Sequence, residues 1–360
     1  MSKVMVGMSG GVDSSVAAWL LHEQGLEVEG LFMKNWEEDD DEEYCAAAID
    51  LEDARQVCER IGIHLHTVNF SSEYWDRVFQ YFLDEYQAGR TPNPDVICNR
   101  EIKFRAFLDH ALDLDTDYIA TGHYARCEAS SSDTSLRKAH DRQKDQSYFL
   151  HTLEQDQLQK SLFPLGGIDK SKVREIAKAQ AFKVHDKKDS TGICFIGERK
   201  FRDFLKQYLP AKPGPILSPE GEALGTHEGA MFYTIGQRQG LGIGGQAHLP
   251  EGAWYVADKD IESNTLHVVQ GKQHPALFHS RVFTQTIHWI SGGPPSDMKN
   301  LVAKIRYRQP DQDCSIRQCE DSRYEVSFAE PQWAVAPGQS VVFYKQDRCL
   351  GGGIIIGREA

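Results

Sequence analysis

The sequence predicts an α/β domain with a doubly wound parallel sheet, followed by smaller β-rich central and C-terminal domains that are barrel-like. Its 360 residues exceed the size at which a single hydrophobic core stops growing. From residue 3 to about residue 124, short apolar runs alternate with helical patterns, which is typical of parallel strands joined by crossover helices. After residue 210, short strands separated by turn residues dominate. We expect domains over residues 1–208, 209–277 and 278–360.

In the first domain, each predicted strand is a short apolar run and each predicted helix has an apolar face that repeats about every 3.6 residues. Ligands of such sheets bind beyond the carboxyl ends of the strands, so we expect functional residues at that edge. The predicted strands cover residues 4–8, 26–33, 64–70 and 118–121, and the predicted helices cover residues 14–24, 44–61, 72–88 and 101–112.

The last part of the first domain, about residues 160–208, is helical and basic. Residues 160–212 contain thirteen lysines and arginines against six acidic residues, although the whole chain carries a net charge of −13. A basic segment of this kind is suited to phosphate groups. Helices are predicted over residues 172–182 and 199–208, and strands over residues 254–257, 266–269, 281–290, 302–308, 314–318, 324–328, 340–344 and 353–356.

Composition excludes several classes of protein. No apolar run approaches the roughly 18 residues of a membrane span, and the first residues lack the features of a targeting signal. Eight cysteines are too sparse for a disulfide scaffold, and their spacing does not match a zinc site. We therefore expect a cytoplasmic protein with no membrane contact and no metal site of its own.

Residues 9–14 have the sequence Ser-Gly-Gly-Val-Asp-Ser and lie between a predicted strand and a predicted helix. Gly10 and Gly11 let the backbone approach phosphate oxygens, and the helix N-terminus offers free N–H donors. Ser9 and Ser14 add hydroxyl groups, and Asp13 is suited to capping the helix or lying near a magnesium ion. There is no lysine of the G-x-x-x-x-G-K type, so transfer of the γ-phosphoryl group is disfavoured.

Four further motifs carry chemistry. Residues 91–99 read T-P-N-P-D-V-I-C-N and bring Asp95 close to Cys98. Residues 144–148 read K-D-Q-S-Y, residues 190–197 read S-T-G-I-C-F-I-G around Cys194, and residues 233–238 read Y-T-I-G-Q-R. Two thiols in polar or glycine-rich surroundings indicate thiol chemistry.

The loop at residues 9–14 resembles the PP-loop of ATP pyrophosphatases, which have the adenine nucleotide alpha hydrolase-like fold and adenylate their substrates. Together with the four motifs, the chain resembles the bacterial tRNA-specific 2-thiouridylase family over essentially its whole length. The resemblance implies an enzyme, a tRNA-uridine 2-sulfurtransferase, that uses ATP to replace O2 of the wobble uridine by sulfur in tRNAs for glutamate, glutamine and lysine.

The resemblance also implies roles for individual residues. Cys194 would carry a persulfide, Cys98 would attack it to leave a transient Cys98–Cys194 disulfide, and Asp95 would act as acid or base. The implied ATP-binding residues are Gly7, Met8, Ser9, Gly10, Gly11, Val12, Asp13, Ser14, Met33 and Gly122. The implied tRNA contacts are Asn93, Pro94, Asp95, His123, Lys144, Asp145, Gln146, Arg306, Tyr307 and Gln339, with residues 160–208 meeting tRNA phosphates.

The implied cofactors are ATP and Mg²⁺ with unknown ligands, and the implied partners are tRNA and a sulfur-carrier protein, with the enzyme acting as a monomer. Met33 and His123 also suit ordinary packing, and Arg-Tyr-Arg at residues 306–308 also suits an amphipathic strand. Two other functions remain open from the residues alone. One is a PP-loop ligase that adenylates a small amide or acid, and the other is a catalytically dead tRNA-binding module.

Overall fold

The structure is a computed structural model that describes residues 2–37, 46–131, 133–189, 201–243 and 252–360. In the described residues, no helix is both long enough and apolar enough to cross a membrane.

The chain begins with a parallel α/β unit whose strands and helices alternate. Because successive strands run in the same direction, each connection must cross over the sheet, and helices supply these crossovers. The elements are β1 (Lys3–Met8), α1 (Val12–Glu23), β2 (Glu27–Lys34), α2 (Ala46–Ile61), β3 (Leu65–Asn69), α3 (Ser71–Tyr74), α4 (Gln80–Gln87), α5 (Pro94–Cys98), α6 (Phe107–Asp113) and β4 (Tyr118–Ala120). Two π-helical segments, Trp75–Phe79 and Asn99–Ala106, make α3–α4 and α5–α6 continuous.

A hairpin, a short strand and three helices complete the first part of the chain. They are β5 (Ala125–Ala129), β6 (Thr134–Lys138), α7 (Gln155–Gln159), β7 (Ser161–Leu162), α8 (Lys170–Ala179) and α9 (Phe201–Leu205). The parallel sheet has the order β3-β2-β1-β4-β7. Val4, Val6 and Met8 pack on one face, whereas Met5 packs on the other. This alternation covers both faces of the sheet with apolar contacts, and the predicted doubly wound α/β fold is confirmed.

The next two units are β-rich, as predicted. The central sheet contains β8 (Gly214–Leu217), β9 (Ala223–His227), β10 (Trp254–Asp260) and β11 (Thr265–Gln270), in the order β10-β11-β8-β9. The last unit contains β12 (Phe278–Thr284), β13 (His288–Trp289), β14 (Val302–Lys304), β15 (Gln312–Gln318), β16 (Tyr324–Trp333), β17 (Ser340–Lys345) and β18 (Arg348–Glu359). Since β12 pairs with both β16 and β18, six of these strands close into a barrel.

The structure differs from the predicted strands in several places: the strand expected over residues 281–290 is divided into β12 and β13, and β8 and β9 were not predicted. The strand expected over residues 302–308 ends at Lys304, because Gln309 donates its backbone N–H to Arg306 O and turns the chain. The hairpin β5–β6 was missed, and it joins the barrel sheet through the pairs Arg348↔Arg137 and Cys349↔Leu136. A piece of the first unit therefore extends the last one.

Candidate active site

The glycine-rich loop is a tight turn from β1 into α1. Gly10 has φ +69°, and a Cβ placed there would lie 2.3 Å from the carbonyl oxygen of Asp50. Gly11 is the N-cap of α1 and has no side chain to occupy the first N–H groups of the helix. Ser14 Oγ accepts the Ser9 backbone N–H at 3.2 Å and donates to Gly11 O at 3.1 Å. The loop therefore presents the open, donor-rich start of a twelve-residue helix at the carboxyl end of β1.

Asp13, in the first turn of α1, is held by two partners from elsewhere in the chain. Lys170 Nζ lies 2.7 Å from each carboxylate oxygen of Asp13, and Tyr124 OH donates to Oδ1 at 2.8 Å. Burial, followed by the charge of Asp13, raises the pKa of Tyr124, so its hydroxyl stays protonated as a donor. Lys170 also pairs with Asp189 at 2.8 Å. An ammonium group thus lies against the loop, but it belongs to Lys170 of α8 and not to a residue of the loop.

Asp189 directly precedes the predicted Cys194 motif in the sequence. Its carboxylate forms ion pairs with three cationic side chains. Lys144 Nζ lies 2.7 Å and Arg174 NH2 3.0 Å from its carboxylate, in addition to Lys170. Burial acts to raise the pKa of Asp189, but hydrogen bonds from Lys144 and Lys170 prevail and lower it to about 2. This carboxylate connects the K-D-Q-S-Y motif with the phosphate loop.

A second lysine fixes the loop from the other side. Lys187 Nζ donates to Gly10 O at 3.0 Å and to carboxylate oxygens of Asp50 at 2.8 Å and Asp53 at 2.6 Å. Burial works against its charge, yet these carboxylates raise the pKa of Lys187. Within the basic segment 160–208, the ammonium groups of Lys170 and Lys187 are therefore both directed at the phosphate loop.

Three more predicted ATP-binding residues pack around the loop. A Cβ at Gly7 would lie 3.4 Å from Met33 Cε, so Met33 is buried against β1. A Cβ at Gly122 would lie 2.8 Å from Ser14 N. The absence of a side chain at Gly122 thus allows the end of β4 to approach the start of α1.

The Thr91–Asn99 motif forms the beginning of the helix that leads to β4. Asn93 is the N-cap of α5, and its side chain accepts the Asp95 backbone N–H at 3.2 Å, while Pro94 takes the first helical position. Cys98 is fully buried, with 0% of its surface exposed. Asp95 Oδ1 is buried and has no hydrogen-bond partner among the residues that the structure describes, which is costly for a carboxylate. Asp95 and Cys98 are three residues apart in α5, so their side chains lie on the same side of this helix.

The barrel holds this motif in place. Thr91 N donates to Pro337 O at 2.8 Å, and Gln339 Nε2 donates to Thr91 O at 2.8 Å. A Cβ at Gly338 would lie 2.7 Å from the Thr91 backbone. The predicted tRNA contact Gln339 is therefore engaged in this structure with the motif itself.

The K-D-Q-S-Y motif links the phosphate loop to Cys98. Gln146 Oε1 accepts the Tyr124 backbone N–H at 2.9 Å, and Tyr124 bonds Asp13 as described. In the same segment, Phe149 O accepts Asn99 Nδ2 at 3.2 Å. Since β1 to β4 are parallel, their carboxyl ends share one edge of the sheet, and the helix α5–α6, which leads to the start of β4, begins at that edge. The phosphate loop and the residues around Cys98 lie along this edge.

The remaining predicted tRNA contacts are buried to different degrees. Asp145 accepts the Ala139 N–H at 3.0 Å and the Ser147 hydroxyl at 3.0 Å. Arg306 NH2 donates to Ala334 O at 2.6 Å, and burial lowers its pKa. His123 is packed near Phe104 and Phe163, with Nδ1 2.8 Å from Thr121 Oγ1. Burial, with the nearby Lys103, lowers the pKa of His123 well below its usual value, so this ring is neutral.

Cys194 and the motif at residues 190–197 lie outside the described residues, and so does the predicted pairing with Cys98. Sequence reasoning missed the contacts by which Lys170, Tyr124, Asp189 and Lys187 surround the loop. Asp189 stands directly before the motif at residues 190–197, and Tyr124 directly follows Gly122 and His123. Lys170 and Lys187 were expected only as part of the segment that meets tRNA phosphates, and they reach the loop from distant elements.

Comparison with known families accounts for nearly the whole chain. Residues 2–198 match the family described as tRNA methyl transferase HUP domain, residues 202–270 match the tRNA methyl transferase PRC-barrel domain, and residues 279–355 match the Aminomethyltransferase beta-barrel domain. The fold and the loop thus define a HUP-domain protein with two appended β domains.

Relatives at high identity narrow this class. The tRNA-specific 2-thiouridylase MnmA of Idiomarina loihiensis is 59% identical over 354 residues, covering 98% of this chain and 95% of that protein. The protein of the same name from Methylococcus capsulatus is 60% identical over 354 residues, with 98% and 95% covered. The one from Marinobacter nauticus is 58% identical, with 98% and 91% covered. The chain belongs to the tRNA-specific 2-thiouridylase family, which confirms the resemblance inferred from the motifs.

Proposed function

We propose that this enzyme catalyses the ATP-dependent 2-thiolation of the wobble uridine in tRNAs for glutamate, glutamine and lysine. The observation that carries the proposal is one edge of a parallel sheet that has a phosphate loop at residues 9–14 and a buried thiol, Cys98. One turn before Cys98 in α5, Asp95 has a buried carboxylate oxygen without a hydrogen-bond partner among the described residues. ATP cleavage and sulfur chemistry require groups of these two kinds within reach of one base.

ATP binds with its phosphates at the start of α1. Residues 7–14 supply backbone donors and the hydroxyl groups of Ser9 and Ser14, and Met33 and Gly122 border the nucleotide. A carbonyl oxygen on a uracil ring is a poor leaving group. The uridine O2 therefore attacks the α-phosphorus, which forms a C2–O–AMP adenylate and releases pyrophosphate.

The donor set does not fit a magnesium site held by the protein. Within the described ranges, no group of three His, Cys, Asp or Glu side chains could hold a metal ion. Asp13, whose carboxylate lies within the loop, is bonded to Lys170 and Tyr124. Mg²⁺ prefers phosphate and water oxygens, so it enters as part of the Mg–ATP substrate.

Sulfur then reaches C2 from a persulfide on Cys194. Its outer sulfur attacks C2, and AMP leaves with the former O2. The Cys98 thiolate next attacks the inner sulfur, which breaks the S–S bond, releases 2-thiouridine and leaves a Cys98–Cys194 disulfide. External thiols reduce this disulfide by two electrons, and a sulfur-carrier protein restores the persulfide. Asp95 exchanges the proton at the uracil ring.

The target base is flipped out of the anticodon loop to reach this edge. Asn93, Pro94 and Asp95 contact the base, and the other tRNA contacts are His123, residues 144–146, Arg306, Tyr307 and Gln339. Residues 160–208 meet tRNA phosphates through those cations that do not face the phosphate loop. We further propose that one monomer acts on one tRNA in the cytoplasm.

The experiment measures two products from the full chain with unmodified tRNA, ATP and a persulfide donor. Wild type forms 2-thiouridine, detected by mass spectrometry of digested tRNA, and releases pyrophosphate only when tRNA is present. Cys98→Ala and Cys194→Ala release pyrophosphate in a single turnover but form no 2-thiouridine. Asp13→Ala loses both products. Cys319→Ala is the matched control and keeps both, because Cys319 follows the far end of β15.

The competing functions give different results. An enzyme that adenylates a small amide or acid releases pyrophosphate without tRNA and tolerates the loss of Cys98. A binding module without catalysis releases none and tolerates Asp13→Ala. The high identity to 2-thiouridylases over nearly the whole chain does not favour either of them. Full 2-thiouridine formation by Cys194→Ala would disprove the persulfide step.

A further inference from the structure

A cavity of about 790 Å³ lies between residues 142–145 of the first unit and the barrel. Cationic side chains dominate its wall, which contains Lys138, Arg142, Lys144, Lys304 and Arg308. Only two carboxylates, those of Asp145 and Asp311, also line it. The cavity is therefore electropositive in a protein whose net charge is −13.

The two carboxylates are already engaged. Both oxygens of Asp311 accept Lys138 Nζ at 2.6 Å, which makes a close, bidentate ion pair. Asp145 accepts the Ala139 N–H and the Ser147 hydroxyl. Lys144 is paired outside the cavity with Asp189. The other three cations of the wall, Arg142, Lys304 and Arg308, retain their attraction for an incoming anion.

Lys304 lies at the centre of the cavity wall, and its ion pairs with the two carboxylates are long. It is only 9% exposed, and in the part of the chain that the structure describes its Nζ has no hydrogen-bond acceptor. The nearest carboxylates, Asp311 at 3.8 Å and Asp145 at 3.9 Å, are beyond hydrogen-bonding distance. Burial, with repulsion from Lys138, lowers the pKa of Lys304. Because both ion pairs are longer than hydrogen bonds, the ammonium group of Lys304 keeps donors for an anion that comes closer.

The exposed cations at the rim are also available. Arg142 is close enough to act on the charge of Lys304, and Arg308 lies over the ring of Tyr307 with 5.7 Å between the guanidinium carbon and the ring centre. Among the described residues neither arginine has an ion-pair partner. Arginines with free guanidinium groups favour bidentate contact with phosphate oxygens.

The cavity adjoins residues that the proposed function assigns to tRNA. Lys144 and Asp145 belong to the K-D-Q-S-Y motif and line the cavity, and Tyr307 OH donates to Lys144 O at 3.4 Å. Resting on that function, we infer that Lys304, Arg142 and Arg308 bind a phosphodiester group of the tRNA anticodon loop. This contact fixes the backbone beside the flipped uridine, whereas residues 93–95 read the base.

The geometry favours a backbone phosphate over a small free anion. The cations converge from two different units on a cavity large enough for a nucleotide, and one side is open along the rim of arginines. Phosphate contacts position a nucleic acid without reading its sequence. The same contacts make binding dependent on salt, because each neutralised phosphate releases counterions.

The test measures the Kd of the full chain for unmodified tRNA over a range of salt concentrations. Lys304→Met and Arg142→Ala each weaken binding about tenfold and lower the slope of log Kd against log salt by roughly 0.7, the value for one single-strand phosphate contact. Lys299→Met is the matched control, because this exposed lysine precedes β14 and does not line the cavity. Its slope equals that of wild type.

Arg142→Ala keeps the test decisive if Lys304→Met fails to fold, because Arg142 is exposed. An unchanged slope for folded variants overturns the inference. A second arm replaces each anticodon-loop phosphate in turn by a neutral methylphosphonate. One replacement weakens binding to wild type about tenfold but leaves binding to Lys304→Met unchanged. Equal losses for both proteins at every position contradict the contact.

Inorganic phosphate distinguishes a site for small anions. If it raises the thermal unfolding midpoint of wild type but not of Lys304→Met, while both bind tRNA alike, the cavity holds free phosphate and the inference is wrong. Failure of the inference differs from failure of the proposed function. In the first case wild type still forms 2-thiouridine, and in the second it forms none and the inference falls too.

Discussion

Lys170 Nζ lies 2.7 Å from both carboxylate oxygens of Asp13, across 157 residues of chain. The PP-loop has no lysine of its own, and Lys170 brings a positive charge to it from α8. The side chain of Lys170 is only 10% exposed, so this pair is shielded from solvent and retains much of its attraction.

Replacing Lys170 by Met is expected to raise the KM for ATP about tenfold or more. Without its partner, the Asp13 carboxylate faces the phosphates of ATP as an uncompensated like charge. The measurement is tRNA-dependent pyrophosphate release as a function of ATP concentration. Lys172→Met is the control, because its side chain is 60% exposed on the same helix and pairs with Glu175. Equal KM values for the two variants would show that Lys170 has no part in ATP binding.

Gly10 and Gly25 both have positive φ, but only Gly10 is crowded. A Cβ at Gly10 meets Asp50 O at 2.3 Å, whereas nothing lies within 4 Å of one at Gly25. We expect Gly10→Ala to lower the free energy of unfolding by about 2–4 kcal/mol, and Gly25→Ala by only about 1 kcal/mol from the left-handed backbone. Urea unfolding of both variants measures the difference. Equal losses would show that Asp50 does not restrict the loop.

The sequence predicted the parts of the fold and site that depend on local patterns. The strand, glycine turn and helix at residues 4–24 follow from spacing and residue type alone. The hairpin β5–β6 did not, because its sheet partner, β18, lies more than two hundred residues later in the chain. Local patterns carry no information about such pairing.

The same limit applies to individual side chains. The sequence predicted Arg306 within a strand. In the structure its guanidinium donates to Ala334 O, and the chain turns at residues 306–309. Lys170 lies in a helix with ordinary amphipathic spacing, and only the tertiary fold directs its side chain to Asp13. Distant pairs of this kind are visible in coordinates and not in the sequence of one chain.

Asp189→Asn is expected to make stability less dependent on pH in acid. The pKa of Asp189 in the folded protein is about 2, below its ordinary value of 3.8, so its contribution is fully present above about pH 4 and lost as the pH falls toward 2. The variant is therefore less stable than wild type at neutral pH. The gap in stability between the two proteins narrows between about pH 4 and pH 2. Urea midpoints across this range measure the gap, and a constant gap would contradict the lowered pKa.

Replacing Gln339 tests whether the barrel positions the residues around Cys98 for catalysis. Its Nε2 donates to Thr91 O at 2.8 Å and to Pro92 O at 3.4 Å, so Gln339→Ala removes a clamp on residues 91–99 without touching the phosphate loop. A hydrogen bond of this kind contributes about 1 kcal/mol. We expect kcat for thiolation to fall about fivefold while the KM for ATP is unchanged, and the backbone amides of residues 91–99 to exchange hydrogen faster. Gln318→Ala, on the exposed part of β15, is the control for both readouts. If kcat falls with no change in amide exchange, Gln339 acts on the substrate directly and not through the motif.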